Sequence, residues 1–274
     1  MKIKLVALDI DGTLLNSQGE LTPKTRAVIA SIKEKGIGIV LATGRRPLRT
    51  TTLAEELNLK LPLITHNGAV IIEPGRERPL LKRGIDLKIA AEIMARLEKN
   101  RINYAVYAGE GGGDLILAPS YAWQEAENLM LTYMGEVPDK TGKIRLAKQP
   151  VRLSVIDAKD KVLPFYEYLK ADFAGQINPM LFTTKKRWRG IEIICGRCSK
   201  GAALAFLAER LGIQAPQVVA IGDNVNDLEM ITWAGLGAAM ANGAPALKRA
   251  ADLIAPDFDS DGAALFLSEL LLAK

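Results

Sequence analysis

The chain has 274 residues, of which 49% are apolar and 24% charged, a balance typical of soluble globular proteins. This length exceeds what one small core needs and predicts one large domain or two of moderate size. No apolar run approaches the ~18 residues that cross a bilayer, and the net charge of +5 comes from Lys and Arg interspersed with Asp and Glu, so we expect neither a membrane nor a nucleic-acid partner.

The first predicted element is the short apolar run Lys4–Leu8, which suits a buried strand. Asp9 and Asp11 end this run after a few residues. A signal peptide would need a longer apolar stretch and a small-residue cleavage site. We therefore expect the run to be part of the folded protein and the protein to be cytoplasmic.

The next residues alternate between helices and strands. Thr22 followed by Pro23 predicts a helix start, because threonine is a good N-cap and proline suits the first helical position. Gly36 ends this helix, and Asn67-Gly68 predicts a turn. The other elements expected here are a strand at Gly38–Ala42, a helix from Pro47 to about Leu57, and apolar segments at Leu63–Ile64 and Val70–Ile72.

The middle of the chain has longer, more amphipathic predicted strands, which indicates an α+β domain inserted at residues 85–189 between core segments 1–84 and 190–274. The expected helices are Leu87–Lys99, Tyr121–Tyr133 and Lys161–Ala171. The expected strands are Asn103–Tyr107, Leu115–Ala118, Arg152–Ile156, Leu181–Thr184 and Ile191–Ile194. Loops are expected at Gly111–Gly113 and Pro138–Lys143.

Strand and helix alternate again towards the C-terminus, which predicts an α/β fold with a doubly wound parallel sheet covered on both faces. The expected strands are Val218–Ile221, Leu236–Ala239 and Leu253–Ile254. The expected helices are Lys200–Leu211, Asp227–Trp233, Leu247–Ala251 and Asp261–Leu272.

Polar clusters follow three of the predicted core strands, and ligands of open parallel sheets bind where the carboxyl ends of the strands meet. Lys200, at the start of a helix, is a candidate phosphate partner. The three clusters are Asp9-Ile10-Asp11-Gly12-Thr13, Thr43-Gly44-Arg45 and Gly222-Asp223-Asn224-Val225-Asn226-Asp227.

Asp9 and Asp11 lie two residues apart beside a buried strand, where carboxylates repel each other and lose hydration. Loop acids are also common as solvated turns. The other polar strand ends favour a bound cation instead, and magnesium prefers carboxylate oxygens and bridges to phosphate.

On these residues the sequence resembles the haloacid dehalogenase superfamily, in its Cof-type sugar-phosphatase branch. Asn67-Gly68-Ala69 matches a segment typical of this branch, whereas Cys195-Gly196-Arg197-Cys198 is less typical of it. The resemblance covers nearly the whole chain and implies a Rossmann-like core with an inserted α+β cap of the C2 type. The four family motifs occur in order as Asp9-Ile10-Asp11-Gly12-Thr13, Thr43-Gly44-Arg45, Lys200, and Gly222-Asp223-x-x-Asn226-Asp227.

The resemblance implies a magnesium-dependent phosphomonoester hydrolase that passes through an aspartyl-phosphate. Asp9 would attack phosphorus, and Asp11 would protonate the leaving oxygen and later deprotonate water. The other implied roles are phosphoryl binding by Thr43 and Gly44, charge neutralisation by Lys200, substrate or phosphate binding by Arg45, Asn67 and Asn226, and Mg²⁺ binding by Asp9, Asp11 (through its backbone carbonyl), Asp223 and Asp227.

Three further features are weaker candidates. The family's caps act as lids that choose the leaving group, so the basic turn at 185–189 is a candidate for substrate contact, although charge runs in turns are usually solvated. His66 could assist, but a lone histidine beside a turn is more often structural. Cys195 and Cys198 could serve redox chemistry, supply half of a zinc site, or be two incidental thiols.

The core motifs leave several functions open. A phosphomutase or a phosphatase for one particular sugar phosphate would carry the same motifs, and a non-enzymatic regulator that binds phosphorylated metabolites would be expected to lose the nucleophile or metal ligands. The sequence has neither a P-loop nor a dinucleotide fingerprint after its first strand. We expect a small phosphorylated metabolite as substrate and a monomer or small homo-oligomer.

Overall fold

The computed structural model describes residues 2–109, 114–120, 138–184 and 187–273. The chain divides into two compact units: unit 1 is Met1–Leu80 with Ser199–Lys274, and unit 2 is Leu81–Cys198. The sequence-based prediction set the second boundary at residues 189 and 190, nine residues earlier. That point lies inside one continuous strand of unit 2, Trp188–Cys195, whose pairing keeps the whole segment in that unit.

The elements are numbered in chain order over the described residues. The strands are β1 Leu5–Leu8, β2 Gly38–Leu41, β3 Leu63–Thr65, β4 Val70–Ile72, β5 Leu81–Lys82, β6 Tyr104–Tyr107, β7 Ile116–Pro119, β8 Asp139–Thr141, β9 Arg152–Ala158, β10 Ile177–Thr183, β11 Trp188–Cys195, β12 Val218–Gly222, β13 Leu236–Met240 and β14 Leu253–Ala255. The helices are α1 Pro23–Glu34, α2 Pro47–Glu56, α3 Leu87–Lys99, α4 Lys159–Asp172, α5 Lys200–Arg210, α6 Leu228–Trp233, α7 Pro245–Ala250 and α8 Gly262–Leu271. None of these helices combines the length and apolar character that crossing a bilayer requires.

Unit 1 is built on a five-stranded sheet in the order β14-β13-β12-β1-β2, and all its pairings are parallel. Every residue of β1 is buried because the strand lies between β12 and β2. A parallel sheet of this kind needs both faces covered, which explains the near-continuous apolar runs in its strands. The α/β prediction is confirmed, and the Thr22 hydroxyl caps α1 by accepting a hydrogen bond from the Thr25 amide (3.1 Å).

Unit 2 contains a mostly antiparallel sheet in the order β10-β11-β9-β6-β7-β8, of which only the β7–β8 pairing is parallel among those described. Its apolar core includes residues of α3 and α4, such as Ile93 and Phe165, together with Val155 and Ile191 of the sheet. The amphipathic pattern predicted the bounds of α3.

Two predictions for unit 2 have other outcomes. The loop prediction for Pro138–Lys143 is wrong, because Asp139–Thr141 pairs with β7 as strand β8. Its three residues, Asp-Lys-Thr, are polar and mostly exposed, so they show no alternation of apolar and polar side chains that would predict a strand. The strand forms because it pairs with a segment distant in the sequence. The predicted helix Tyr121–Tyr133 and the loop Gly111–Gly113 lie outside the described residues.

Candidate active site

Asp9 lies at the carboxyl end of the central strand β1, and its amide donates a hydrogen bond to the carbonyl of Ile221 in β12 (3.0 Å). Only 5% of Asp9 is exposed. Gly12 adopts a φ of +80°, and a Cβ at this position would lie 2.6 Å from Oδ2 of Asp223. Glycine therefore provides both the left-handed turn and the close approach of the β1 loop to the β12 loop.

Lys200 joins two of the acidic side chains. Its Nζ donates hydrogen bonds to Oδ1 of Asp9 and to Oδ1 of Asp227, both at 2.6 Å. All three side chains are buried, with Lys200 only 1% exposed. Ser199 caps α5 by accepting a hydrogen bond from the Ala202 amide (3.0 Å), so the start of the helix fixes the position of the lysine.

The β12 loop provides the other two acids. Oδ2 of Asp227 accepts hydrogen bonds from the amides of Asp223 (3.1 Å) and Asn224 (3.0 Å), which fixes the carboxylate under its own loop. Asp223 is less buried than Asp227, and its Oδ1 accepts a long hydrogen bond from the Thr13 hydroxyl (3.5 Å). Carboxylate oxygens of Asp9, Asp223 and Asp227 all lie within 4.8 Å of one another. We call these three residues the aspartate cluster.

Burial and mutual repulsion disfavour the ionised forms of two carboxylates in the aspartate cluster. Burial raises the pKa of Asp9 well above its usual value despite the charge of Lys200, and Asp227 and Asp223 raise it further. Burial and the neighbouring Asp227 raise the pKa of Asp223 to about 6. Burial disfavours the charge of Lys200, but Asp227 and Asp9 outweigh this effect and raise its pKa.

Three carboxylates facing one ammonium leave a net negative charge in a buried place. A divalent cation would offset that charge, and a set of ligands made only of oxygen atoms suits Mg²⁺. The residues of the aspartate cluster therefore fit the metal that the sequence predicts.

Asp11 has different surroundings from Asp9. The guanidinium of Arg45 donates two hydrogen bonds to its carboxylate, from Nε to Oδ2 (2.8 Å) and from Nη2 to Oδ1 (2.5 Å). The side chain of Asp11 is 62% exposed, and it lies outside the aspartate cluster. Among the residues predicted to bind metal, Asp11 differs because its carboxylate pairs with Arg45. The predicted metal ligand of Asp11 is its backbone carbonyl, which this pairing does not involve.

The β2 loop and the turn after β3 are joined by backbone hydrogen bonds. The amides of His66 and Asn67 donate to the carbonyls of Arg45 (3.0 Å) and Thr43 (2.9 Å). The Thr43 hydroxyl accepts a hydrogen bond from the Arg45 amide (3.1 Å), and Gly44 lies between these two residues. His66 is fully buried within this turn.

The same turn brings together the two predicted amide side chains. Nδ2 of Asn226 donates to Oδ1 of Asn67 (2.8 Å). At Gly68, φ is +93°, and a Cβ there would lie 2.0 Å from the carbonyl oxygen of Ser199. The Asn-Gly signal in the sequence therefore marks a turn that packs directly against the residue before Lys200.

Sequence reasoning missed several contacts that support these residues. Glu229 accepts a short hydrogen bond from the Ser199 hydroxyl, and Asn242 donates to the carbonyl of Gly12 (2.8 Å). Neither residue lies in a motif with a chemical signature, so no signal in the sequence could have singled them out. The pairing of Arg45 with Asp11 is equally hidden, because 34 residues separate them.

Comparison with known proteins gives a consistent result. The haloacid dehalogenase-like hydrolase family matches residues 6–267. The chain is 31% identical to the 5-amino-6-(5-phospho-D-ribitylamino)uracil phosphatase YcsE of Bacillus subtilis, over 96% of this chain and 93% of that protein. It is 29% identical to the phosphatase YwpJ of the same organism, over 98% and 100%. A haloacid dehalogenase-like hydrolase from Bacteroides thetaiotaomicron has a similar solved structure, with a TM-score of 0.85 and 26% identity over 98% of this chain and 100% of that one.

Proposed function

The chain belongs to the Cof-type haloacid dehalogenase-like hydrolases and is a phosphatase, and we propose that it uses Mg²⁺ and an aspartyl-phosphate on Asp9 to hydrolyse small phosphomonoesters such as sugar phosphates. The observation that carries this proposal is the contact of one buried lysine with Asp9 and Asp227, within the aspartate cluster. Phosphoryl transfer depends mostly on positioning and on neutralising charge, and this arrangement supplies both.

Asp9, Asp223 and Asp227 would hold Mg²⁺, together with the backbone carbonyl of Asp11. When bound, the ion would neutralise negative charge on the phosphoryl oxygens and on the carboxylates. The raised pKa values of Asp9 and Asp223 support this assignment, because burial disfavours their ionised forms unless positive charge is nearby.

Asp9 acts as the nucleophile because a buried carboxylate of fixed orientation can attack phosphorus in line. Its Oδ1 accepts a hydrogen bond from Lys200, which helps keep the side chain ionised and limits its rotation. The phosphorus–oxygen bond to the leaving group breaks as the bond to Asp9 forms, and water then cleaves the aspartyl-phosphate.

Asp11 acts as the general acid and then the general base. It follows Asp9 by two residues, on the far side of the turn at Ile10, and its carboxylate is exposed, which suits a group that exchanges protons with a leaving alcohol and with water. Arg45 orients this carboxylate through two hydrogen bonds.

The phosphoryl oxygens bind to the polar groups that surround these acids. Thr43 and the amide of Gly44 lie at the carboxyl end of β2, next to β1 in the sheet, where they can donate hydrogen bonds to an anion. The hydrogen bond from Asn226 to Asn67 joins the β12 loop to the turn after β3, and both amides are suited to orient the phosphate.

Hydrolysis of p-nitrophenyl phosphate tests the proposal. We expect turnover with Mg²⁺, its loss with EDTA and its recovery when Mg²⁺ is returned. Asp9→Asn should abolish turnover, whereas Asp172→Asn, which changes an exposed aspartate at the end of α4, serves as the matched control and should leave turnover unchanged. Phosphate should remain on acid-denatured wild-type protein after a brief reaction and be absent from Asp9→Asn.

The possible results separate the alternatives. Full turnover by Asp9→Asn would reject the nucleophile assignment, and full turnover with EDTA would reject the metal. A folded wild type that cleaves none of a broad panel of phosphomonoesters would favour a protein that binds phosphorylated metabolites. Transfer of phosphate to a second sugar hydroxyl rather than to water would favour a phosphomutase.

A further inference from the structure

The two cysteines of the chain lie at the two ends of one tight turn. Cys195 is the last residue of β11, and the amide of Cys198 donates a hydrogen bond to its carbonyl (2.9 Å). The Gly196 amide between them donates a hydrogen bond to the carbonyl of Gln176 (2.9 Å), the residue before β10, which fixes the turn against the start of that strand. Cys195 is partly exposed, whereas Cys198 is 2% exposed, so Cys195 is the more accessible residue of the two.

Two arginines lie at the turn that carries the more exposed cysteine. The side chain of Arg197 lies in the turn itself, and Arg83 reaches it from another segment of unit 2, where Nη1 donates to the carbonyl of Arg197 (3.0 Å). The hydrogen bond from the Cys198 thiol is the largest of the causes that lower the pKa of Cys195 to about 6, and the backbone amide and charge of Arg197 and the charge of Arg83 add to it. The same hydrogen bond raises the pKa of Cys198, which keeps the proton.

We propose that Cys195 and Cys198 form a redox-active dithiol site that reacts with small disulfides, with Cys195 as the attacking thiolate and Cys198 as the resolving thiol. The proposal rests on the closed turn that brings the two cysteines together, on the difference in exposure of the two residues and on the arginines at the turn. It is independent of the phosphatase activity.

The reaction balances as an ordinary thiol–disulfide exchange. The Cys195 thiolate attacks one sulfur of a disulfide RSSR, a bond forms between them, the original S–S bond breaks and RS⁻ leaves. Once Cys195 is in the mixed disulfide, its sulfur is no longer the thiolate that accepts the proton of Cys198 and repels its charge, so Cys198 can lose that proton to the departing thiolate or to solvent. The Cys198 sulfur then attacks that of Cys195, the second RS⁻ leaves, and the protein has lost two electrons to RSSR.

A soft-metal site explains this pair less well. A structural zinc ion normally takes about four ligands. Within the described ranges, the group of three or more acidic, histidine or cysteine side chains arranged to hold a metal is the aspartate cluster, which contains neither cysteine. The asymmetric sulfurs are what disulfide exchange requires, because the attacking thiol must be accessible and ionised.

The test uses the full chain, reduced and then incubated with oxidised glutathione at pH 7, followed by intact mass measurement. We expect wild type to become a monomer lighter by two hydrogen atoms, without bound glutathione. Cys198→Ser should accumulate one glutathione on Cys195, and Cys195→Ser should react much more slowly. Wild type that keeps two free thiols in excess oxidised glutathione, or that forms disulfides only between molecules, would overturn the proposal, as would faster adduct formation in Cys195→Ser than in Cys198→Ser.

A second measurement separates an activated thiolate from a merely exposed thiol. The rate of Cys195 alkylation by iodoacetamide should rise with a midpoint near pH 6 in wild type, since its pKa is about 6. Cys198→Ala and Arg197→Gln should each move the midpoint upward, because each removes a group that stabilises the thiolate. Arg197 is exposed, so its variant remains informative if the loss of the buried Cys198 side chain prevents folding. A midpoint near that of an ordinary thiol in wild type would contradict the assignment.

Discussion

Asp9 and Asp11 stand two residues apart in one loop, yet they occupy different electrostatic environments. Asp9 is buried against Lys200, Asp223 and Asp227. Asp11 is 62% exposed and is held by Arg45 in a bidentate pair. The buried region depends on compensating charge, because water cannot solvate its carboxylates, whereas water can replace much of what Arg45 provides to Asp11.

The different surroundings of Asp9 and Asp11 suit the two carboxylates to different catalytic roles. A nucleophile benefits from a fixed orientation and from a dry environment in which the lysine and the metal act strongly. A general acid must exchange protons with the leaving group and later with water, so access to solvent is useful. The two roles proposed for the pair therefore follow from the turn at Ile10–Gly12, which directs one carboxylate inwards and the other outwards.

The strongest test of this contrast is Lys200→Met. It leaves Asp9 and Asp227 buried without their ammonium partner, and breaking a buried ion pair from one side typically costs about 3–5 kcal/mol. We expect the free energy of unfolding to fall by an amount of that size in metal-free protein, measured by urea denaturation. Turnover should fall at least about a hundredfold, because a group that offsets charge at the nucleophile is lost.

Magnesium provides the control for this prediction. Added Mg²⁺ should restore part of the lost stability of Lys200→Met, since it supplies positive charge to the same carboxylates. A variant as stable as wild type would mean that the buried charges are not coupled as the hydrogen bonds indicate.

The sequence was enough to predict which residues gather at the carboxyl ends of the strands. It was not enough to predict which cation pairs with which carboxylate. The order of apolar strands and the polar residues after them were enough to bring Asp9, Asp223 and Lys200 to one edge of a parallel sheet. Which acid would be buried and which exposed depends on the turn at Gly12 and on the position of Arg45, and no local pattern carries either. Strand β8 was missed for a similar reason, because its pairing with β7 is long-range and its residues lack alternation.

Asp11→Asn tests the exposed side of the comparison. Loss of a general acid typically costs about a hundredfold or more when the leaving group needs a proton, as an alkyl alcohol does. With p-nitrophenyl phosphate the leaving group departs as an anion, so the first step should be nearly normal and the second slow. Rapid-mixing measurements should then show a burst of p-nitrophenolate close to one per enzyme, followed by slow turnover.

The burst distinguishes a catalytic Asp11 from a structural one. Equal losses of turnover with an alkyl phosphomonoester and with p-nitrophenyl phosphate, and no burst with the latter, would indicate that Asp11→Asn disturbs the loop. Asp9→Asn should show no burst with p-nitrophenyl phosphate.

The effect of Mg²⁺ on the free energy of unfolding also distinguishes the buried aspartate cluster from the exposed Asp11. If Mg²⁺ binds the aspartate cluster of the folded chain, a concentration ten times its Kd should add about 1.4 kcal/mol to the free energy of unfolding. Asp223→Asn should remove most of this gain, while Asp11→Asn, which keeps its backbone carbonyl, should retain it. The measurement is a denaturant titration of each variant with and without Mg²⁺, and a gain in Asp223→Asn equal to that of wild type would place the metal elsewhere.

Arg45→Met should lower the free energy of unfolding the least of these variants, and much less than Lys200→Met does. Both changes remove a cation from a carboxylate, but the side chain of Asp11 is 62% exposed, so solvation and screening leave the pair worth less than about 1 kcal/mol. The residual effect should shrink further in high salt, because exposed charges are screened more than buried ones. Denaturation of Arg45→Met and Lys200→Met at low and high salt measures this directly. A loss for Arg45→Met as large as for Lys200→Met, and insensitive to salt, would show that burial does not separate the two carboxylates.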